Sequence, residues 1–402
     1  MLSDTAIDNL VQQIVNRQEG INIYVLTKIA HRLRTIGELS PNNIKQMQIL
    51  VQMGTDIRQM NDYLAEMSNM QVRDIKSIIK TVALDNYLDA KPLYDYRHRS
   101  FVPFEQNTKL QQITNAIAEQ TANTYKNLSN SSATGFWVKD KYNPQQLVFK
   151  SIDNSYRDAV DKAIQAVQSG AVDKEEAIRN VVKQLLDSGI RRMYWDSGYS
   201  QRLDTAVRRN IQDGVKQINQ RIQDEIGKQI GADGKELSVH INSAPDHEPF
   251  QGHQFTNEEY EKLQSNEDFK DVVGQKFTGV KRIIGEWNCR HFALSIIVGQ
   301  SKPRYSEQQL QNLIRKNHIG YTNADGKHFT LYECTQVQRK LETKIRYAKE
   351  EQMLMKELKN NTFRTLARRK VEYLTAEYKR FSKQSNMPMR LNRTTVPGYK
   401  SW

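Results

Sequence analysis

The sequence predicts a mainly α protein carrying one small α+β module, with long helices flanking a short-stranded domain that contains histidine and cysteine. Three observations carry that expectation. Apolar residues recur at three- and four-residue spacing over most of the 402-residue chain, the mark of helices with one buried face. Period-two alternation is confined to residues 235–331. Four of the eight histidines (His240, His247, His253, His291) and one of the two cysteines (Cys289) fall inside that same stretch.

Four regions follow in order. Residues 1–105 read as a helical N-terminal region, in which Ala6, Leu10, Ile14 and then Ile21, Val25, Ile29, Leu33 keep one apolar face. Ser40-Pro41-Asn42-Asn43 is a helix-start signal, and Ile75, Ile78, Ile79 and Val82 supply the next packing face. Between Lys91 and Phe104, the rings of Tyr94, Tyr96, Phe101 and Phe104 alternate with Arg97 and Arg99. Such interleaving can bind single strands; a linker that packs its rings on neighbouring helices is the expectation here. Residues 106–230 form a second helical region, interrupted by the Ser129–Gly135 stretch and by Gly189 and Gly198. Asp173 is placed as the cap of a helix carrying Ala177, Val181, Val182, Leu185 and Leu186. Arg208 and Arg209 are placed at the start of a long helix whose isoleucines reach Ile226.

Residues 231–331 form the module, the one β-rich part expected. Gly231-Ala232-Asp233-Gly234 ends the preceding helix. Leu237, Val239 and Ile241 alternate with Ser238, His240 and Asn242 as a half-buried strand, His240 on its polar side. Gln275–Gly279 and Phe292–Gly299 read as further short strands, and Asn323-Ala324-Asp325-Gly326 as a hairpin turn. Residues 332–402 are basic helices and a tail: Val337, Leu341, Ile345 and Ala348 make one stripe, and Phe363, Leu366, Val371, Leu374, Tyr378 and Phe381 a second. After Met387-Pro388 the chain is expected to run on as an extended tail.

Charge and size narrow the function classes. The formal net charge is +13, and from Glu333 to Trp402 seventeen Lys/Arg stand against seven Asp/Glu, a net of +10. A basic helical tail calls for an anionic neighbour, nucleic acid ahead of membrane, unless its lysines and arginines serve solubility alone. Arg364, Arg368, Arg369 and Lys370 are the candidate phosphate contacts, because cations along a helix neutralise a nucleic-acid backbone without reading sequence. Two cysteines make no disulfide framework, as expected of a chain kept in a reducing cytosol. Met1-Leu2-Ser3-Asp4 has no secretory character, and no run of eighteen apolar residues could span a membrane. No Gly-rich phosphate loop is present, which argues against nucleotide hydrolysis.

The candidate site is the His/Cys cluster. Cys289 and His291 are two apart, so on an extended segment both side chains share a face, as a pair of metal ligands would. With His240 and His247 they could assemble a four-ligand structural zinc site. The spacing matches no zinc-finger pattern, and a hydrogen-bonded polar core without metal is the competing reading. Two catalytic readings stand behind these: a metal-assisted nuclease with His240 or His247 as base, and a Cys289 nucleophile with His247 as base.

The order of these residues resembles a known family. His240-x6-His247-x3-Gln251-Gly252, followed by Gly285-x-Trp287-Asn288-Cys289-Arg290-His291, Gly299, Ser301 and Tyr305, is similar to the phage minor capsid protein 2 family, akin to the Mu F-like head morphogenesis proteins. The likeness continues through Tyr332-Glu333-x2-Gln336-x2-Arg339-Lys340 and on to Tyr378-x2-Phe381-Ser382-Lys383, Arg393 and Gly398-Tyr399. Ala244 stands where the family usually has arginine, and Phe250 where it has tryptophan. The resemblance implies a non-enzymatic minor structural protein of a tailed-phage head. It would be made in the host cytoplasm and incorporated beside the portal and major capsid proteins; contact with packaged double-stranded DNA is the expectation from the basic C-terminal helix, not from the resemblance. It also implies that Gln251, Gly252, Trp287, Asn288 and Arg290 define the fold of the module. The alternatives are a metal-dependent nuclease or injected effector enzyme carried in the head, and a scaffold that leaves before maturation.

Overall fold

The computed structural model describes residues 2–36, 43–133, 135–139, 143, 146–151, 154, 158, 161–162, 174–187, 192–194, 200–265, 268–270, 276–278, 284 and 289–400. The two apolar stripes expected near the N-terminus belong to one helix, α1 (Asp4–Ile36). Helix α2 (Asn43–Asp89) follows, and most of the Ser40-Pro41 start signal lies outside the described residues. Helix α3 (Lys91–Tyr96) then turns the chain into α4 (Thr108–Ala133), whose first turn is capped by Asn107 Oδ1 accepting from the Leu110 amide at 3.2 Å. The intervening aromatics pack inward. Tyr87 of α2 stacks on Phe101 at 4.5 Å, Tyr94 meets Phe101 edge-on at 5.2 Å, and only Tyr96 is left well exposed. Ring packing, not strand binding, uses this linker.

The second region departs from the all-helical expectation. An antiparallel pair, β1 (Gly135–Lys139) and β2 (Leu147–Ser151), and another, β3 (Arg192–Tyr194) and β4 (Ser200–Arg202), bracket α5 (Lys174–Asp187). The restriction of β structure to residues 235–331 is therefore corrected. In register, Phe136 pairs with Lys150, Trp137 with Phe149, Val138 with Val148 and Lys139 with Leu147, two short runs rich in the aromatic and β-branched residue types that favour a ladder over a helix. Asp173, expected as the α5 cap, lies outside the described residues. Helix α6 (Leu203–Ile230) begins five residues ahead of Arg208, placing both Arg208 and Arg209 within it. It ends as read from the sequence: Gly231 has φ +65°, the left-handed conformation that only glycine adopts without strain.

The module holds a three-stranded antiparallel sheet in the order β6-β5-β9, made by β5 (Gly234–Leu237), β6 (Gln254–Thr256) and β9 (Ala293–Ile296). Helix α7 (Asn257–Gln264) follows β6 behind a capping box of Thr256 and Glu259, and β7 (Asp268–Lys270) pairs with β8 (Lys276–Thr278). Helix α8 (Glu307–Ile319) leads to the expected hairpin, β10 (Tyr321–Thr322) with β11 (His328–Phe329). The strand expected through Ile241 stops at Leu237, and Ile241 is exposed. Helices α9 (Leu331–Glu357) and α10 (Asn361–Gln384) fold back on one another, with Tyr378 fully buried between them and donating its hydroxyl to Glu342 at 2.8 Å. Leu366 is exposed rather than packed.

Four apolar cores are found among the described residues. The largest is the bundle of α1, α2, α4 and α6, and a second joins the far half of α1 to α2, α5 and α9. A third lies within the module around Phe250, Phe255 and Leu263, and the fourth lies between α9 and α10. The tail is not extended away from the body. A short 3-10 turn at Leu391–Thr394 buries Arg393, Thr394 and Val396 against the rest of the protein. Polar contacts hold it: the Arg393 carbonyl accepts from Arg346 Nη1 at 2.6 Å, and the Thr394 carbonyl accepts from Lys349 Nζ at 2.6 Å.

Arg346 ties these parts together from the inside. Its Nε donates to Glu19 of α1 at 2.8 Å and its Nη2 to Asp204 of α6 at 2.6 Å. All three residues are buried. Burial works against the charged guanidinium, and the carboxylates of Glu19 and Asp204 more than reverse this, raising its pKa above the ordinary arginine value. Truncating Arg346 removes the closest cation from two buried carboxylates and leaves Arg202, itself 2.9 Å from Asp204 and 3.4 Å from Glu19, to serve both. We expect Arg346→Ala to cost about 3–5 kcal/mol in urea unfolding. Arg380→Ala, which breaks an exposed pair with Glu377, should cost less than about 1 kcal/mol.

Candidate metal centre

Two irregular segments of the module build the site. The first is the turn-rich run after β5, where the Ala244 carbonyl accepts from the amides of His247 and Glu248, both at 3.1 Å. Glu248, itself buried, accepts from Asn317 Nδ2 at 2.7 Å and from His318 Nε2 at 2.8 Å, which pins this run to α8. The second is the extended lead into β9. Ser238 and Phe292 bond it to the continuation of β5, the Ser238 amide donating to the Phe292 carbonyl at 3.0 Å and the Phe292 amide to Ser238 Oγ at 3.2 Å. On extended backbone, Cys289 and His291 project to one side, and that side is where His247 sits.

His247, Cys289 and His291 are all buried, and one ligand atom from each lies within 4.8 Å of the others; it is the one such cluster found among the described residues. Cys289 Sγ is 3.2 Å from His247 Nδ1 and 3.4 Å from His291 Nδ1. A tetrahedral zinc with ordinary Zn–S and Zn–N bonds holds a sulfur and a nitrogen about 3.6 Å apart. Both sulfur–nitrogen distances are within a few tenths of an ångström of that spacing. The donor set also fits: one thiolate and two imidazoles suit zinc better than a hard cation.

Residues behind the trio orient it. His291 Nε2 lies 3.4 Å from Gln251 Oε1, and the same oxygen accepts from the His240 amide at 3.0 Å. A proton on Nε2 directed at that amide oxygen leaves Nδ1 as the lone-pair nitrogen facing Cys289. Gln251 is thus a positioning residue. Gly252 has φ +76°, and a Cβ there would lie 2.5 Å from Leu310 Cδ2, so the chain can pass under α8 only without a side chain. Phe250 is buried in the module core.

His240 does not join the trio. Its Nδ1 is 2.7 Å from Asp4 Oδ2 and its Nε2 is 3.2 Å from Ser238 Oγ, while its ring rests edge-on against His291 at 4.7 Å. The four-ligand set read from the sequence is therefore corrected to three, because the strand ends at Leu237 and the ring turns toward α1. Arg290, between the two ligands, points the other way and lies 3.7 Å from Asp8 of α1. Trp287 and Asn288 lie outside the described residues. Asp246 was not foreseen; its carboxylate is 3.7 Å from His247 Nε2. Cys334, the other cysteine, is buried in α9, where burial and the neighbouring Glu333 push its thiol up to about 11, so it stays protonated.

The proposed phosphate contacts on α10 are partly engaged. Arg368 lies 3.6 Å from Glu372, and Lys370 lies 3.2 Å from Glu351 and over the Tyr347 ring at 5.0 Å. Arg369 is exposed and Arg364 half-buried on the same helix.

Among the described residues the protein is mainly helical, with long helices flanking a small sheet module that holds the His/Cys trio, and no helix is long and apolar enough to cross a membrane. The family model described as phage minor capsid protein 2 matches residues 2–382. The chain belongs to that family, as its motifs implied. No curated protein and no solved structure matches it.

If the trio holds zinc, chain purified without chelator should carry close to one zinc per molecule by elemental analysis. Chelation should then lower its melting temperature, and Cys289→Ala should abolish both the metal and the chelator response. A metal-free wild type that melts unchanged in chelator would identify the trio as a hydrogen-bonded core.

Proposed function

We propose that the protein is a minor structural component of a tailed-phage head, built in beside the portal and major capsid proteins during assembly. The observation that carries this reading is the family match over residues 2–382. The burial of the trio supports a structural role for any ion there: His247, Cys289 and His291 are 2%, 6% and 6% exposed, which leaves no open face for a substrate. A metal at that point would fasten the turn after β5 to the strand entering β9, stabilising the module rather than acting on a ligand. The decisive measurement is quantitative mass spectrometry of purified DNA-filled particles. A few to a few dozen copies per head, counted against portal and major capsid protein, are expected. Presence in procapsids with none in mature heads would make it an assembly scaffold instead.

In the same reading, α10 contacts packaged double-stranded DNA through Arg364 and Arg369, with Arg368 and Lys370 released from their carboxylates. Duplex binding should weaken as salt rises. Arg364→Ala and Arg369→Ala should each reduce the log–log slope by about 0.9, the effect of one phosphate fewer neutralised. Binding indifferent to salt would remove this role for α10.

A second reading, an enzyme carried in the head, draws on one observation: Cys289 Sγ and His247 Nδ1 meet at 3.2 Å, with Asp246 behind the ring. That is the order of a nucleophile, a base and an orienting carboxylate. Undiminished phage yield with His247→Ala and His291→Ala would remove both this reading and a metal-dependent nuclease.

A further inference from the structure

Five arginines from four separate segments converge on one carboxylate. Asp8 of α1 accepts from Arg393 Nη2 at 2.8 Å, while Arg290 and Arg390 each stand 3.7 Å from it, too far for a direct hydrogen bond. Arg208 and Arg339 complete the group. Burial pushes Arg208 down to about 10, helped by Arg393, and pushes Arg339 down to about 10, helped by Arg290, Arg393 and Arg390. The Asp8 pKa is lowered too, which for a carboxyl favours the charged form. Burial raises its carboxyl pKa, and Arg290, Arg393, Arg208 and Arg390 more than reverse that, holding it below the ordinary carboxylate range.

The nearby acids do not balance this charge. Glu19 and Asp204 already serve Arg346 and Arg202. Glu342, which faces Arg390, accepts from the Tyr378 hydroxyl at 2.8 Å. Among the described residues, seven guanidiniums (these five with Arg202 and Arg346) are set against the carboxylates of Asp8, Glu19, Asp204 and Glu342, an excess of three positive charges. Donors are left over as well. Arg208 gives Nη2 to Gln12, but its Nη1 is buried without a hydrogen-bond partner. The rim is open, since the Arg290 and Arg390 side chains are 34% and 36% exposed. Such an arrangement is costly alone and favourable around an anion that can accept several planar, two-pronged donors at once.

We propose that this cluster is a binding site for a phosphate oxyanion, reached past Arg290 and Arg390 and held against Arg208, Arg339 and Arg393. Phosphate fits better than a carboxylate because it offers more acceptor oxygens and, as a free ion, more charge to set against the excess of three. The source is either inorganic phosphate or a phosphodiester of nucleic acid, and the two separate by experiment. The site is distinct from the α10 face and does not depend on it.

The test uses the full chain, with inorganic phosphate titrated against chloride at matched ionic strength, followed by calorimetry or thermal shift. Saturable binding is expected. Arg339→Gln and Arg390→Gln should weaken it at least tenfold while leaving the helical circular dichroism intact. Asp8→Asn, which removes the competing carboxylate, should tighten it, a change of sign that loss of folding cannot mimic. If a short duplex also binds, and Arg339→Gln lowers its salt slope, the source is nucleic acid; binding of phosphate alone makes it the free ion. Equal response of wild type to phosphate and chloride with no effect of Arg339→Gln on duplex binding would overturn the proposal. So would a glutamate-rich peptide that binds more tightly than either phosphate source.

Discussion

The buried ion pairs of Arg346 with Glu19 and Asp204 connect positions far apart in the sequence and lock three helices to one another. Glu19 lies midway along α1, Asp204 in the first turn of α6 and Arg346 in the middle of α9. Apolar packing within the bundle of α1, α2, α4 and α6 is non-directional and tolerates sliding along the helix axes. A guanidinium that must satisfy two buried carboxylates and one carbonyl does not. It fixes how α9 crosses α1, and with it the docking of the tail through Arg393 and Thr394.

With those helices held, the module has little freedom. It hangs from the end of α6 at Gly231 and returns through α8 and the hairpin to the start of α9. Asn317 links these parts, donating to Glu248 at 2.7 Å and accepting from the Tyr332 amide at 2.9 Å. The turn that carries His247 is thereby tied to the same helix that carries Arg346. Buried polar groups recur at each junction, where they specify one geometry among the many that apolar contact alone would allow.

The two unusual polar clusters lie back to back across one short segment. Cys289 and His291 turn into the module toward His247, while Arg290 between them turns outward to Asp8. Alternation along extended backbone makes this possible: three consecutive residues serve a sulfur–nitrogen cluster on one side and an arginine cluster on the other. The segment Cys289-Arg290-His291 thus carries two structural duties, anchoring the module internally and joining it to α1. Gln251 and Gly252 serve the first duty, one by orienting His291 and the other by letting the chain pass beneath Leu310.

Periodicity by itself determined the long helices, because a stripe of apolar residues at helical spacing has one good way to be buried. Turn chemistry did the same for the Gly231 terminus and the Asn323–Gly326 hairpin, where only certain residues accept the required backbone angles. The pairing of Cys289 with His291 was legible too, since a spacing of two on extended chain puts both on one side. Three- to five-residue strands such as β1 and β3 were not, because so short a run gives no period to read. Only the tertiary structure decided that His247 joins that pair and His240 does not, that the tail docks, and that arginines from four segments meet at Asp8. Each of these depends on contacts between residues distant in the chain. Local spacing carries no information about which distant carboxylate, sulfur or guanidinium will be brought alongside.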